Sequence, residues 1–390
     1  MQVHKMRTDR TVMLYITETY QDPETGVLSS KVIEELGSLE SLEESLGLRG
    51  EDAITQWVHG RAEELAHGTS SNPDDGGSPK GAPIIARGVR TSYNVGHLFL
   101  LDVVSRLGLS GLCKEISGDE VLGQTMYTLV AERVLSEGMG YTPEKNSYDF
   151  VGTHPLDMST LTRSLTLLQE NSVKIQDKAW EESRKLVTRD LSTIYLDRTD
   201  YRVMELEAPD ENDETRIIVD LGLAEDASHM PLAFEAGWGR RADTLTPIRE
   251  RLSTNYRLQN ARFYEDVALP GTARDQFFYV RGSDLARWAP GVTVGVAVGS
   301  YLLIGFIGLL ACRIVHRMSA TEYSLTDVIS KLREMRMEHI EGEGWRPLYV
   351  RDSLSDALHE AFGFRTDYEF IPEDQFESII AHVSADIACR

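Results

Sequence analysis

From Ala289 to Cys312 the chain runs for 24 residues without a charged side chain, APGVTVGVAVGSYLLIGFIGLLAC. Such a run permits two outcomes: a helix that crosses a bilayer, or a fully buried helix around which a soluble core assembles. Arg287 precedes it, and Arg313 and Arg317 follow. Gly291, Gly295 and Gly299 recur at four-residue spacing, the small-residue pattern that lets helices approach closely. Left without partners, an apolar helix of this length would aggregate or enter a membrane. A buried core helix and a single-pass anchor over residues 289–312 therefore both stand at this point.

The rest of the composition is that of a globular protein. The chain has 390 residues, 41% apolar and 26% charged, enough for two or three domains with buried cores. Cys113, Cys312 and Cys389 lie far apart with no CxxC pair, which argues against a zinc site or a disulfide framework and for a reducing compartment. The opening MQVHKMRTDRTVMLYI is too charged, and its apolar run too short, for a signal peptide. Net charge is −22, which counts against simple electrostatic attachment to DNA. Glu18 to Asp75 alone holds fourteen acidic residues against Lys31, Arg49 and Arg61.

Local patterning divides the chain. Val12 to Tyr20 alternates like a strand, Asp22 to Gly26 has turn chemistry, and Val27 to Leu36 returns as a second strand, giving a hairpin. A short acidic helix, Ser41 to Leu46, follows. Thr69 to Gly88 is rich in Gly, Pro, Ser and Asp and reads as a linker. From Tyr93 to about Arg189 the pattern is helical: Leu98, Leu101, Val104 and Leu107 keep helical spacing, as do Leu161, Leu165 and Leu168. Between Thr193 and Gly271 come three strand-like runs, a helix near Thr244 to Tyr256 and a fourth strand. This β-β-β-α-β order is the layout of a ribonuclease-H-like core. It sets Asp197 in the first strand and Asp266 at the end of the fourth. Carboxylates brought together from distant strands are how proteins hold Mg²⁺ for phosphoryl transfer.

Several blocks, in order, resemble insertion-sequence DDE transposases of the insertion-sequence-four superfamily, in its IS-sixteen-thirty-four-like branch. They are ITETYQDPETGVLSSKVIEELGSLESL (Ile16 to Leu42), SYNVGHLFLLDVVSRLGL (Ser92 to Leu109), YLDRTDYRVMELE, MPLAFEAGWGRRADTLTPIRERL, FYEDVALPG and DSLSDALHEAFGFRTDYEFIP (Asp352 to Pro372). The resemblance implies a bacterial, cytoplasmic enzyme that cuts and rejoins DNA at terminal inverted repeats with two Mg²⁺ ions. Asp197 and Asp266 would be its first two metal-binding, catalytic carboxylates. Arg240 and Arg241 are candidate DNA contacts. A homo-oligomer, or an intact transposase, is the implied protein partner.

The third acid of that family, a Glu in a Tyr-x2-Arg-x3-Glu-x6-Lys signature, is not in this sequence. Tyr279 is followed at the Arg position by Gly282, Tyr323 by Thr326 and Tyr349 by Asp352. YLLIGFIGLLACRIVHR (Tyr301 to Arg317) resembles the core helix that normally follows the Glu block. By comparison with a full catalytic core, a segment on the order of a hundred residues is missing between about Trp288 and Tyr301. The third acid is therefore unknown; Glu265, Glu322, Glu334, Glu338, Glu341 and Glu343 are weak replacements. APDENDET stands where the family is basic, and Arg198 beside Asp197 could draw its carboxylate into a salt bridge. Arg249 and Arg251 extend the basic cluster, as phosphate contacts or as a solvated helix face. The expected architecture is α+β: a hairpin and acidic helix (1–66), a linker (67–90), an all-helical domain (91–190), a partial ribonuclease-H-like mixed sheet (191–288), the apolar segment (289–317) and a small α/β tail (318–390). The expected function is that of a DDE transposase inactivated by loss of its Glu segment. The alternatives are a membrane-anchored non-enzyme, a remnant that inhibits an intact transposase, and an active nuclease that has recruited another carboxylate.

Overall fold

The computed structural model describes residues 2–7, 12–21, 28–38, 92–136, 149–153, 156–206, 215–239, 242–265, 291–320 and 322–384, with residues 42, 54, 57, 58, 277, 278, 285, 288 and 289 between them. They fall into two units, Met1–Ala86 and Arg87–Arg390.

In the first unit, β1 (Gln2–Arg7), β2 (Val12–Gln21) and β3 (Leu28–Ser38) form an antiparallel sheet in sequence order. The β2–β3 pair is the hairpin expected from alternation and turn chemistry. β1 is an addition, since no run before Val12 reads as a strand. Leu14, Leu42, Ile54 and Val58 make a small buried cluster. Apart from Leu42, the helix expected at Ser41 to Leu46 lies outside the described residues, as does the 67–90 stretch.

The second unit begins with β4 (Ser92–Asn94) and five helices: α1 (His97–Arg106), α2 (Leu109–Ser117), α3 (Val121–Leu135), α4 (Met158–Glu170) and α5 (Ser172–Leu186). Of the spaced apolar positions, Leu98, Val104, Leu107, Leu161, Leu165 and Leu168 are buried, which is why this segment is helical. Then come β5 (Thr193–Leu206), β6 (Thr215–Asp226), β7 (Pro231–Trp238), α6 (Leu245–Thr254) and β8 (Arg262–Glu265). The chain continues through α7 (Val294–Met318), α8 (Leu325–Glu334), β9 (Arg336–Ile340), β10 (Gly344–Pro347), α9 (Ser353–Phe362), β11 (Ile371–Pro372) and α10 (Glu373–Ser384). The architecture is α+β, with two four-stranded sheets in this unit, ordered β7-β6-β5-β8 and β11-β10-β9-β4.

The charge-free run becomes α7, capped at its start by the Thr293 hydroxyl, which accepts from the Val296 amide. It passes the length and hydropathy test for a membrane span, yet 78% of its most apolar window is buried inside the protein. Its neighbours are α1, α3, α4, α5, α8, α9 and β7. The glycine stripe is used within the chain: a Cβ at Gly299 would lie 2.7 Å from the Gln169 side chain on α4, and one at Gly295 would lie 3.7 Å from the Trp238 ring. Further along, a Cβ at Gly305 would overlap the Phe277 carbonyl, and one at Gly308 would press on Val134 of α3 at 3.3 Å.

The tail is tied into the helical segment at several places, of which the joint at Asn94 is the most closely fitted. The Asn94 amide donates to the carbonyls of Leu332 and Arg333, and its oxygen accepts the His97 amide at the start of α1. Gly96 lies so close to α8 that any Cβ there would overlap the Leu332 carbonyl. β4 pairs with β9, and the Arg336 guanidinium holds Asp149 at 2.7 Å. The described residues of 91–190 and 318–390 thus share one hydrophobic core with α7.

Gly305→Ala should destabilise the protein by about 1–3 kcal/mol, because the methyl meets backbone that has no room to give. Gly295→Ala, which finds ordinary contact distance, should be neutral or stabilise by about 0.5–1 kcal/mol through helix propensity. Urea denaturation of the two variants reads the contrast.

Candidate active site on the four-stranded sheet

The β5–β8 sheet has two distinct faces, set by the two-residue alternation of its strands. Leu196, Ala224 and Ala233 stand in register across β5, β6 and β7 and pack with Ile248 and Leu252 of α6. One residue on, Asp197, Leu223 and Phe234 make the adjacent row on the opposite face. Phe234 meets Phe306 of α7 at 5.6 Å between ring centroids, so Asp197 lies on the α7 face. Asp197 is 6% exposed, and the Thr199 hydroxyl donates to its Oδ2 at 3.3 Å.

β8 runs parallel to β5, pairing Thr193 with Arg262 and Leu196 with Glu265. Glu265 shares the α6 face with Leu196, and there it accepts from Arg249 at 2.5 Å. It is 46% exposed, as alternation requires. Asp266, the next residue in sequence, lies outside the described residues, and so do Arg240 and Arg241.

Two expectations about charges near this sheet change. Arg198 does not draw in Asp197: it points to the α6 face, 3.8 Å from Asp220, whose other oxygen accepts from the Thr244 hydroxyl. Strand alternation is the reason, since neighbours along a strand face opposite ways. Nor is Arg251 part of a solvated or phosphate-facing surface. It is 8% exposed and donates to both the Phe234 carbonyl and the Gln176 side-chain oxygen at 3.0 Å. Gln176 in turn accepts the Phe234 amide at 2.8 Å. A side chain from α5 and one from α6 thereby occupy the outer backbone groups of β7, a strand with a sheet partner on one side only. Burial pushes the Glu235 carboxyl above its usual range, against the pull of Arg251.

A buried charge pair fixes the β6–β7 turn. Arg189 meets Asp226 at 2.7 Å and donates to the carbonyls of Met230 and Pro231, and Asp226 accepts the amides of Ser228 and Met230. These groups are spent on one another and on backbone. Among the described residues no three His, Cys, Asp or Glu side chains converge as a metal site. Of the weak replacement acids, Glu334 holds Lys331 at 2.8 Å and Glu338 holds Arg346 at 2.5 Å, each within the tail.

The sequence reading did not single out Gln176, Arg189 or Asn94. No motif marks them, because each acts on the backbone of an element distant in sequence. Comparison with protein-family models, curated proteins and solved structures gives no match to this chain.

Gln176→Leu should cost about 1–3 kcal/mol, since it strands a buried amide and a buried guanidinium together. Gln176→Glu, which keeps an acceptor facing Arg251, should cost less. Chemical denaturation of both variants tests whether the side-chain clamp on β7 is what holds this edge.

Proposed function

We propose that this chain is a shortened DDE-class transposase whose nuclease sheet keeps two acidic positions, Asp197 and Asp266, without the helix that would supply the third, and that it does not cut DNA. What carries the reading is the order of β5 to β8. Three antiparallel strands are followed by a helix and by a fourth strand parallel to the first, with β5 and β6 central. That order supports the ribonuclease-H-like reading of the sheet. Asp197 and Asp266 are each the next residue beyond the paired Leu196 and Glu265. The proposal requires that β8 continue by one residue in the same register.

The donor set does not fit a two-ion Mg²⁺ centre. Mg²⁺ gives up its water reluctantly and needs several anionic oxygens at octahedral positions. Two carboxylates, one of them already accepting from Thr199, fall short of that. The chain's role, on this reading, is to engage an intact transposase. A net charge of −22 favours such a protein partner over direct attachment to the terminal repeats.

The test is a nicking assay on supercoiled DNA with Mg²⁺ or Mn²⁺, comparing the natural chain with Asp197→Ala. The expected result is no metal-dependent nicking by either. Nicking that disappears in Asp197→Ala would overturn the claim of inactivity.

On the same reading α7 is a core helix and the protein is cytoplasmic. Its burial among seven elements of its own chain supports this, whereas its length and hydropathy alone favour an anchor. Expressed protein should stay in the supernatant after high-speed centrifugation of a lysate. Recovery in a pellet that only detergent releases would establish the membrane-anchored alternative.

A further inference from the structure

The outer face of the β11-β10-β9-β4 sheet ends in an uncovered apolar patch. β10 and β11 pair Gly344 with Pro372 and Trp345 with Ile371, and the same register carried onward sets Arg346 opposite Phe370 and Leu348 opposite Tyr368. The segments stay together over this stretch: the Leu348 amide donates to the Arg336 carbonyl of β9 at 2.8 Å, and the Tyr349 and Thr366 hydroxyls lie 2.9 Å apart. Two-residue alternation divides the side chains. Trp345 and Ile371 turn inward, Trp345 onto Tyr93 and Phe376. Leu348, Val350, Tyr368 and Phe370 turn outward and are 53%, 71%, 56% and 40% exposed. Singly exposed apolar residues are normal on a protein surface, but four on two adjoining segments make a continuous patch of the kind that marks an interaction site.

The charges around the patch leave a negative surplus. Arg346 is held by Glu338 at 2.5 Å, and Arg351 and Arg365 are each held by Asp356 and Asp367. Glu341 and Glu343 stand in the β9–β10 turn, next to Gly344, where a Cβ would lie 3.0 Å from the Phe370 ring. Glu369 lies between Tyr368 and Phe370. All three glutamates are exposed and, among the described residues, none makes an ion pair.

We propose that this face binds a basic amphipathic helix of a partner protein. From Arg346 to Val350 the face extends roughly 13 Å, the span of two to three helical turns. Apolar residues three and four apart on such a helix cover Leu348, Val350, Tyr368 and Phe370, while Lys or Arg beside them reach Glu341, Glu343 and Glu369. The surplus charge excludes other occupants. A nucleic acid or an anionic lipid surface would bring further negative charge to these carboxylates. A second copy of the chain would do the same, because a two-fold contact sets equal patches against each other. Addition of a strand is disfavoured, since β11 is two residues long and Pro372 has no amide to donate. This assignment stands on the tail alone and does not depend on the nuclease reading of the β5–β8 sheet.

The full chain is titrated, by fluorescence anisotropy, with a labelled amphipathic helical peptide of Leu and Lys. A Leu/Glu peptide of the same pattern and a Lys/Ser peptide without an apolar face are the controls. The expected result is saturable binding of the Leu/Lys peptide alone, weakening as salt rises. Val350→Ser and Tyr368→Ser, at exposed positions that should leave the melting temperature unchanged, should each weaken it about fivefold to tenfold. Glu343→Lys and Glu369→Lys should each weaken it by a similar factor. Glu181→Lys, an equal change in net charge at an exposed position on α5, should leave affinity unchanged, which separates the patch from the general attraction of an acidic protein for a basic peptide. Absence of binding, an equal loss in Glu181→Lys, control peptides that bind as tightly, or affinity indifferent to the four patch substitutions would overturn the assignment. So would binding to phosphatidylserine vesicles, or a dimer in analytical ultracentrifugation, that Val350→Ser abolishes, since either gives the patch a different occupant.

Discussion

The second unit is organised by the need to remove α7 from water. A helix with no charge over its first nineteen residues has no face to offer solvent, so it needs neighbours on all sides. They come from every part of the unit: four helices before the β5–β8 sheet touch it, as do an outer strand of that sheet and two helices after it. Apolar burial supplies the driving force, at roughly 25 cal/mol per Å² of surface removed from water. Close approach supplies the specificity, because Gly299, Gly305 and Gly308 leave room for Gln169, Phe277 and Val134 and for little else.

That arrangement explains why the β5–β8 sheet carries different chemistry on its two faces. One face is closed by α6 through an aliphatic row and a ring stack of Trp180 on Tyr256 at 4.8 Å. The other turns toward α7 and includes two buried carboxylates, Asp197 beside Leu223 and Glu225 two residues further along β6. Ionic groups elsewhere in the sheet are consumed in holding it: Arg189 with Asp226 at the β6–β7 turn, and Arg251 with Gln176 along β7. Buried charges are tolerated where they are paired and hydrogen-bonded, as Arg189 and Asp226 are. Arg251 instead faces a neutral side chain and donates through Nη2 to Gln176 and the Phe234 carbonyl. Arg189 and Arg251 therefore serve the fold, whereas Arg257 and Arg262 are exposed beside the same sheet.

The tail shows how distant segments become one structure. Residues 336–347 would be an isolated hairpin of two short strands, marginal in water, without a third strand on each side. β4 and β11 provide those strands, and the Trp345 ring stacks on Phe376 and meets Tyr93 edge-on. Capping boxes at Ser324 and Asp352 start α8 and α9 cleanly, and Gly363, with φ of 75°, ends α9 in a left-handed turn. Asn94 links the two levels, since a single amide side chain closes the end of α8 and opens α1.

Periodicity and turn chemistry were enough to disclose the helices between His97 and Leu186, the β2–β3 hairpin, the strand–strand–strand–helix–strand run and the apolar helix. These are local properties: a repeat of 3.6 or of 2, or a glycine beside a proline, acts on neighbouring residues whatever the rest of the chain does. Pairings across long separations were hidden, among them β4 with β9 and Gln176 with Phe234, because hydrogen bonding between remote segments leaves no spacing to read. The fates of the arginines were hidden for the same reason. Arg251 and Arg249 sit two positions apart on one helix, yet one is enclosed on β7 and the other pairs with Glu265 in partial contact with solvent. The amino-acid order by itself limited α7 to two environments, since its lack of charge forbids a wet face. Which partners surround it inside the protein was decided only in three dimensions, by helices and a strand that converge on it from far along the chain.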